Sequence, residues 1–500
     1  MLSITSESRK LRSDGLGNFN RTRQTHVLVL RQLFCVVAMN TFNPHTAMLD
    51  RGRLAALRVS EDQEFERRTD RSRSLRKQAS SHLPLGVPMS WMFGLYRTPP
   101  IYIDRGQGAF FTDVDGNDYL DFNLCDLSMT IGYGNEAVAA ALGEQARRGA
   151  HYLLPTEDAI TVSTILAERT GLPFWQFTLS ASGSNAEVIR IARFMTKRSR
   201  VVIFGGHYHG HIEETLVREE GGRCVPDTDG LSPGSAAHTV IVPFNDLQSL
   251  ERTLAAGDVA LVLTEPVMTN CNLVMPDPGF HRGVRDLTRR YGALLCIDEA
   301  HTFQFAFGGL SNAWRLSPDF IVLGKGFGSG VAFGLYGMSE EVAHCFTQHI
   351  DVDIGPRGIA TGGTTYASAL ALAVARVVLE KVMTAEAYER VQMLGARLAN
   401  GLDCEFLKRG LPWKAFRCGP RSGYCLDPEL PRTGSDGFRS LDYELIDARR
   451  VFMANRGIWD AVAAAGPQAS IAHSDRDIDT YVAAAGEFLD RIIEPTGVKS

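Results

Sequence analysis

The chain has 500 residues, of which 44% are hydrophobic and 22% charged, and its formal net charge at pH 7 is −5. The composition is ordinary for a soluble globular enzyme, and the length exceeds what one small core needs, so we expect a large domain and a smaller one. The weakly acidic balance does not favour binding to nucleic acid or to an anionic membrane surface.

Nine cysteines are scattered along the chain, and no two of them form a CxxC pair. Several lie in apolar segments, which is typical of buried, reduced thiols. This distribution predicts a cytoplasmic protein and favours neither a disulfide framework nor a zinc site.

The first sixty residues differ from the rest, because they are rich in arginine and poor in acidic residues. Their apolar stretch, 26–39, contains Arg31 and is shorter than the ~20 residues that span a bilayer. It also lacks the cleavage site of a secretory signal. We predict that residues 1–60 are a disordered or misassigned extension outside the fold, with an organellar transit peptide as the alternative.

Short apolar segments with strand-like alternation begin after about residue 85. They lie at 100–104, 109–113 and 119–122, and Asp115-Gly116 predicts a hairpin turn between the last two. A helical pattern over 137–148 follows. We assign residues 85–150 to the first part of the smaller domain and its crossover.

Residues 160–340 repeat the order strand, loop, helix. Apolar runs predict strands at 174–179, 201–205, 239–242, 259–264, 294–297 and 320–323. One helix between them, 280–291, has apolar residues at spacings of four, three and four and ends at Gly292. The alternation predicts an α/β fold over 151–375, with a mostly parallel sheet covered by helices and ligands bound at the carboxyl ends of its strands.

Residues 376–500 predict helices with short strands. The last helix is signalled by Ser474 as its N-cap and by Asp477 three residues later. We assign this part to the smaller α+β domain, so that both ends of the chain build it.

Lys325 follows the apolar run 320–323 and enters the glycine-rich segment Gly-Lys-Gly-Phe-Gly. A lysine that leaves a buried strand in this way is poorly solvated and well placed to form an imine with an aldehyde. Asp298 follows the strand 294–297, so we expect it to be buried and to need a cationic partner. A protonated pyridine nitrogen would be such a partner, and the two residues together favour pyridoxal 5'-phosphate as the cofactor.

The segment Ser180-Ala-Ser-Gly-Ser-Asn-Ala186 lies between a predicted strand and a predicted helix. Free N–H and hydroxyl groups at a helix N-terminus suit a phosphate. On this motif alone, a plain N-cap by Ser182 or Ser184 is the stronger interpretation.

Tyr208 lies between two histidines just past another strand, where its ring is suited to stack on a flat ligand. His207 and His209 have no third ligand nearby in the sequence, so we do not predict a metal site. Glu265 ends a further strand, where a carboxylate serves equally well as a helix cap or an ion-pair partner. The segment 361–366 is another loop of small and hydroxyl residues before a helix.

In this order, the motifs resemble those of the class III, fold-type I aminotransferases, in particular the branch similar to glutamate-1-semialdehyde aminomutase. The resemblance covers about residues 85–495. It is most specific in the segments 182–186, 208–210, 265–266, 278–295, 298–299, 324–325 and 363–364.

The resemblance implies a role for each residue around the cofactor ring. Lys325 would form the internal aldimine with pyridoxal phosphate and later carry protons. Asp298 would pair with the pyridine nitrogen and Tyr208 would stack on the ring. Glu265 would lie at the substrate end.

The resemblance also implies how the phosphate is held. Ser182, Gly183 and Ser184 would bind it from one side. Thr364 would reach the phosphate of the neighbouring subunit's cofactor, so a homodimer with shared active sites is implied.

The chain departs from the family pattern in two places: Asn185 stands where glutamate is usual, and Ala300, followed by His301, stands where valine usually follows Asp298-Glu299. These changes alter the pocket wall and weaken an assignment of substrate by analogy. The arginine that would bind a substrate carboxylate is not identified, and Arg417 and Arg421 are candidates.

The predicted activity is transfer of an amino group between an amino acid or amine and a keto acid or aldehyde. An aminomutase, in which donor and acceptor are the two ends of one molecule, is the alternative. A non-catalytic binding protein of the same fold is disfavoured, because it would lack Lys325 or Asp298. A dehydrogenase is disfavoured because an early GxGxxG between strand and helix is not found.

Overall fold

The computed structural model describes residues 44–94, 100–349, 358–461 and 466–493. The strands in these ranges are β1 Ile103–Gln107, β2 Phe110–Asp113, β3 Asp118–Asp121, β4 Phe174–Thr178, β5 Arg200–Phe204, β6 Val217–Glu220, β7 Arg223–Pro226, β8 Thr239–Val242, β9 Val259–Thr264, β10 Leu294–Asp298, β11 Phe320–Leu323, β12 Gly334–Met338, β13 Lys414–Cys418, β14 Arg421–Cys425 and β15 Ile458–Trp459.

The helices are α1 Arg51–Arg68, α2 Asp70–Ala79, α3 Ser90–Gly94, α4 Glu136–Arg148, α5 Glu157–Thr170, α6 Ala181–Thr196, α7 Leu247–Leu254, α8 Phe280–Tyr291, α9 Gly309–Ala313, α10 Glu340–His349, α11 Ala369–Val377, α12 Ala385–Lys408, α13 Gly434–Arg439, α14 Tyr443–Asn455 and α15 Asp475–Ile492. The last turn of α11 continues as a π-helical segment, Val378–Val382. Ser474 caps α15 through a capping box with Asp477, as its sequence predicts.

A seven-stranded sheet forms the centre of the molecule, in the order β4-β12-β11-β10-β9-β5-β8. Only β12 in this sheet runs antiparallel to its neighbours, so the predicted mostly parallel sheet is confirmed. The sequence did not predict β12, because Gly334 and Gly337 interrupt its apolar run. A Cβ at Gly337 would lie 2.8 Å from the ring of Trp175 on β4, so the glycine is needed for close packing.

Helices cover both faces of this sheet because its strands are apolar on both sides. Val201 and Ile203 of β5 pack in the same cluster as Val188 of α6. The alternate residue Val202 points to the other face and packs with Phe280 of α8. All six residues of β9 are buried.

The smaller domain is built from both chain ends, as predicted. Its sheet has the order β1-β2-β3-β15, and the C-terminal strand β15 pairs in parallel with β3. Its core joins Leu49, Phe122, Leu398 and Phe488. The α/β fold class with a second α+β domain is therefore confirmed.

The predicted extension over residues 1–60 ends too late. Asp50 caps α1 by accepting a hydrogen bond from the Arg53 N–H group, and Leu49 and Leu54 are buried. The Trp413 indole also donates to the carbonyl of His45, at 2.8 Å. Residues 45–60 thus belong to the fold, and their arginines mostly occupy the outer face of α1; residues 1–43 lie outside the described residues.

Two further predictions concern the state of the cysteines and the presence of membrane-spanning segments. The eight cysteines in the described ranges are free thiols. Among the helices of those ranges, none combines the length and the apolar character that crossing a membrane would require.

Candidate active site

Lys325 lies at the carboxyl end of β11, where it begins a one-turn 3-10 helix, Lys325–Gly328. Its backbone adopts a positive φ of 56°, which is uncommon for a side chain of this kind. The ammonium Nζ donates to the Asp126 carboxylate at 2.5 Å and to the Asp126 carbonyl at 3.1 Å. A side chain at Gly326 would meet the Thr130 hydroxyl at 2.7 Å, so a glycine must follow the lysine.

Asp298 ends β10, the strand beside β11, and is 4% exposed. Its carboxylate accepts hydrogen bonds from Asn185 Nδ2 at 2.8 Å, His209 Nδ1 at 2.9 Å and the Ala300 N–H group at 3.0 Å. Burial by itself would raise the pKa of Asp298, but the hydrogen bond and charge of His209 and the hydrogen bond of Asn185 lower it below the ordinary value. Asp298 is thus a buried carboxylate that stays ionised.

Asn185 and His209 together hold the Asp298 carboxylate in place by hydrogen bonds. Asn185 bridges the Asp298 carboxylate and the carbonyl of His209, at 3.1 Å. The Asn185 position, which departs from the family pattern, therefore has a defined structural task. The role of His209 was not predicted from the sequence, although its place directly after Tyr208 was a signal.

The serine-rich loop opens α6, where Ser180 caps the helix by accepting from the Gly183 N–H group. The Ser182 hydroxyl accepts from the His211 N–H group at 3.1 Å. A Cβ at Gly210 would lie 2.0 Å from that hydroxyl, so the two loops approach closely. Ser184 differs, because its hydroxyl is buried against that of Thr178, at 2.8 Å.

Tyr208 and Glu265 lie on neighbouring loops. The Tyr208 side chain is 43% exposed, and its N–H group donates to Glu265 Oε1 at 3.3 Å. Partial burial, and then the negative charge of Asp126, raise the pKa of the Tyr208 hydroxyl. Tyr208 therefore lies close to the Lys325–Asp126 pair.

Glu265 continues into a short chain of hydrogen bonds. The Thr269 hydroxyl lies 2.6 Å from Glu265 Oε2 and 2.6 Å from His301 Nδ1. Burial raises the pKa of Glu265. Burial, and then the charge of Lys325, lower the pKa of His301 to about 3, so this imidazole is neutral at physiological pH.

The two candidate arginines differ in burial, since Arg421 is buried and Arg417 is exposed. Arg421 begins β14, is 1% exposed, and interacts electrostatically with Asp126 and Glu265. Burial lowers the pKa of Arg421 to about 10, so it remains a cation at neutral pH. Arg417 is exposed and donates to the carbonyl of Gln392.

Thr364 lies on the surface, apart from this cluster. Its carbonyl accepts from His151 Nε2 at 2.7 Å, and its side chain is exposed. Within the described ranges, no group of three or more His, Cys, Asp or Glu residues is arranged to hold a metal ion.

The comparisons with known proteins agree on one family. The family model "Aminotransferase class-III" matches residues 95–408. The glutamate-1-semialdehyde 2,1-aminomutase 2 of Brevibacillus brevis is 31% identical over 434 residues, which cover 84% of this chain and 99% of that protein.

Solved structures show the same relationship. The structure of a glutamate-1-semialdehyde-aminomutase from Pseudomonas aeruginosa PAO1 is 36% identical, with a TM-score of 0.85 over 89% of this chain and 99% of that one. An omega-transaminase from Sphaerobacter thermophilus is 27% identical, with a TM-score of 0.77 over 84% of this chain and 97% of that one. With a fold, a family match and these relatives in agreement, the chain belongs to the class III aminotransferases and is an enzyme of this pyridoxal 5'-phosphate-dependent family.

Proposed function

We propose that this enzyme moves an amino group within a small amino aldehyde that carries a carboxylate, as an aminomutase of the glutamate-1-semialdehyde type. The relatives from Brevibacillus brevis and Pseudomonas aeruginosa are named glutamate-1-semialdehyde aminomutases, which supports this alternative over the predicted transfer between two molecules. The observation that carries the proposal is that Lys325, Asp298 and the buried cation Arg421 all act electrostatically on one buried imidazole, that of His301, and so surround one site.

The residues present fit pyridoxal phosphate. A buried carboxylate that stays ionised, as Asp298 does, suits a protonated pyridine nitrogen. The N-terminus of the 16-residue helix α6, with Ser182 and Gly183, suits a phosphate. Ser184 would contribute through its backbone, since its hydroxyl is turned to Thr178. When bound, the cofactor supplies an aldehyde that captures amines and a ring that withdraws electrons from the substrate.

Lys325 would serve both as the attachment point and as the proton carrier. As a free amine, it takes a proton from the substrate carbon that bears the nitrogen and later returns that proton. Tyr208, whose hydroxyl lies within electrostatic reach of Asp126, would cover the flat face of the cofactor. Tyr208 is 43% exposed, so its own ring is accessible to a flat ligand.

Arg421 would anchor the substrate carboxylate. It is a buried cation near Asp126 and Glu265, and a guanidinium binds a carboxylate through two parallel hydrogen bonds. Glu265, held by Thr269, would orient this end of the pocket. Arg417 is disfavoured, because its exposed side chain donates to the backbone of α12.

The second candidate is transfer between two molecules. The pocket wall contains His301 and Asp126, and the departure at His301 is the observation that favours a different substrate. The similar fold of an omega-transaminase, at 27% identity, supports the same alternative.

A substrate experiment separates the two candidates. The purified enzyme, loaded with pyridoxal phosphate, is incubated with glutamate-1-semialdehyde alone, and in parallel with a panel of amino donors plus pyruvate or 2-oxoglutarate. We expect conversion of the semialdehyde without any second substrate, and little net transfer from the donors. Efficient transfer to a keto acid with no conversion of the semialdehyde would reject the aminomutase.

A covalent test addresses the attachment point separately. Borohydride reduction followed by peptide mass spectrometry should find the cofactor on Lys325. Recovery of an unmodified Lys325 peptide from a yellow, active enzyme would reject this role.

The site would be shared between two subunits. Thr364 is exposed, and it is linked through His151 to a surface where Leu153 and Leu154 are 66% and 72% exposed. Large apolar side chains at such exposure are typical of an interface. We expect a homodimer in which Thr364 of one subunit contacts the phosphate in the other.

Subunit mixing tests this arrangement. Lys325→Ala and Thr364→Glu homodimers should each be inactive. A heterodimer places both damaged residues in one site and leaves the other intact, so each heterodimer should have up to half of the activity of a natural dimer. A monomeric mass by light scattering, or no recovery after proven exchange, would contradict it.

A further inference from the structure

Asp126 forms the closest polar contact of Lys325, yet its position in the sequence gave no hint of this. The two residues are 199 positions apart, and their side chains are 22% and 18% exposed, lysine first. The lysine ammonium contacts both the carboxylate and the main-chain carbonyl of Asp126. Two acceptors from one residue hold the nitrogen in a defined place.

The backbone that carries Asp126 is unusual. Leu124, Cys125, Asp126 and Leu127 all have positive φ angles, between 48° and 71°. Residues with side chains rarely adopt this conformation, and a run of four in succession is rarer still. Backbone conformations of this kind cluster at functional sites, so the run beside Lys325 indicates a functional role for this turn.

Asp121 holds this left-handed turn in place. Its Oδ1 atom accepts from the N–H groups of Asn123 and Leu124, at 2.8 and 2.9 Å. Its Oδ2 atom accepts from the Tyr133 hydroxyl at 2.7 Å. The turn is therefore built into the smaller domain, and it projects the Asp126 carboxylate into the site.

Charged and titratable groups surround Asp126 on several elements. Lys325, His301 and Arg421 face it, and its charge also reaches Tyr208. Burial alone would raise the pKa of Asp126, but the charge of Lys325 is the first of the effects that lower it to about 2. Asp126 is thus an ionised group throughout the range in which the enzyme works.

We propose that Asp126 is a positioning residue that holds the ammonium of Lys325 whenever this lysine is not joined to the cofactor. The inference rests on the proposed function, in which Lys325 takes a proton from the substrate carbon and becomes an ammonium. Asp126 stabilises that ammonium and keeps it in place to return the proton. No other reactant is needed. The proton leaves a carbon atom for the Lys325 amine, and the resulting ammonium later returns it to carbon.

Differential labelling of the cofactor-free protein tests this without any turnover. An amine acylates only when unprotonated, so a trace of acetic anhydride at neutral pH reports the free amine fraction of each lysine. In Asp126→Asn, we expect the labelling rate of Lys325 to rise at least about tenfold, because an opposite charge in contact with it is lost. Asparagine tolerates the left-handed backbone, so the turn should persist. Asp126→Gly, which also tolerates this backbone, serves as a second variant if the first does not fold.

Three controls sharpen the result. Exposed Lys381, in the same digest, should label equally in all proteins. Asp118→Asn, in β3, removes a carboxylate that accepts a hydrogen bond from Thr112 and none from Lys325. This variant should leave the labelling of Lys325 unchanged. Asp126→Glu retains the charge and should stay within about threefold of the natural protein.

A second readout uses the loaded enzyme. In Asp126→Asn, exchange of the substrate Cα hydrogen with deuterated water should slow at least about tenfold at saturating substrate, with KM nearly unchanged. A Lys325 labelling rate equal to that of the natural protein would overturn the proposal, as would a rise in KM alone, which would make Asp126 a substrate-binding group. Since labelling needs no substrate, its failure is distinct from failure of the proposed function.

Discussion

Two ion pairs of the molecule differ in their exposure to water: Arg449–Asp460 in the smaller domain, and Lys325–Asp126 at the carboxyl end of β11. Arg449 and Asp460 are 6% and 0% exposed, 2.6 Å apart, and Asp460 also accepts from the Tyr481 hydroxyl and the Ala461 N–H group. The lysine pair is more open, at 22% and 18%, and both of its residues have positive φ angles.

The difference shows how the two regions use buried charge. The pair in the smaller domain is almost fully buried, and neither of its residues has a positive φ angle, so it holds a core together. The pair in the site is more exposed and lies on a left-handed backbone, as the proposed reaction of its lysine requires. Charges of the first kind should govern stability, and charges of the second kind should govern activity.

The largest expected effect is the loss of activity in Lys325→Ala. Removal of the amine takes away both the attachment point and the proton carrier, and we expect kcat to fall at least about 10²–10⁴-fold. Steady-state assays with whichever substrate the substrate experiment selects would measure it. Activity within tenfold of the natural enzyme would show that the open pair is structural only.

Arg449→Met should act on stability instead. It leaves Asp460 buried without its cation, and the free energy of unfolding should fall by about 3–5 kcal/mol. Urea denaturation would measure this. The matched control is Arg397→Met, which removes an exposed pair with Asp479 and should cost no more than about 1 kcal/mol; equal losses in both variants would remove the distinction between the regions.

Asp121, which supports the left-handed turn, predicts a pH dependence. Burial raises its pKa to about 6, so the folded state binds a proton more tightly than the unfolded state does. Its contribution is full below about pH 4 and is lost as the pH rises through about 6. The unfolding free energy of the natural protein, relative to Asp121→Asn, should therefore fall by up to about 3 kcal/mol across this window. Denaturation at several pH values would test it, and a flat difference would contradict the prediction.

The smallest expected effect concerns Arg421. Arg421→Gln removes the proposed carboxylate anchor, and we expect KM to rise about 10–100-fold, as for a lost hydrogen-bonded charge. Arg417→Gln, at the exposed arginine of the same hairpin, should leave KM unchanged. Similar KM values for the two variants would place the carboxylate elsewhere.

Much of the site was predictable because its signals are local. Lys325 and Asp298 each follow an apolar run, and a residue just past a parallel strand lies at the carboxyl edge of the sheet wherever that strand is placed. The same reasoning located the loop at Ser182 and the turn at Tyr208. The strand β12 escaped prediction, because its glycines serve packing against Trp175, which lies far away in the sequence.

At the N-terminus, residues that belong to the fold were wrongly predicted to lie outside it. Composition suggested that residues 1–60 lie outside the fold, yet Leu49 and Leu54 are buried in the smaller domain. A helix with an arginine-rich outer face and few apolar residues looks like a tail until its partner is known. The core of that domain comes from both chain ends, so neither end shows it alone.

The amino-acid sequence by itself determined the α/β class and the places of Lys325 and Asp298 at the carboxyl ends of their strands, since both follow from short-range patterns of burial and backbone freedom. Only the tertiary structure decided that Asp126 contacts Lys325 and that His301 and Arg421 lie within electrostatic reach of Asp126. These residues lie on segments up to about 300 positions apart, and a polar residue between apolar neighbours carries no sign of its distant partner. Their electrostatic environment arises when packing excludes water around all of them at once.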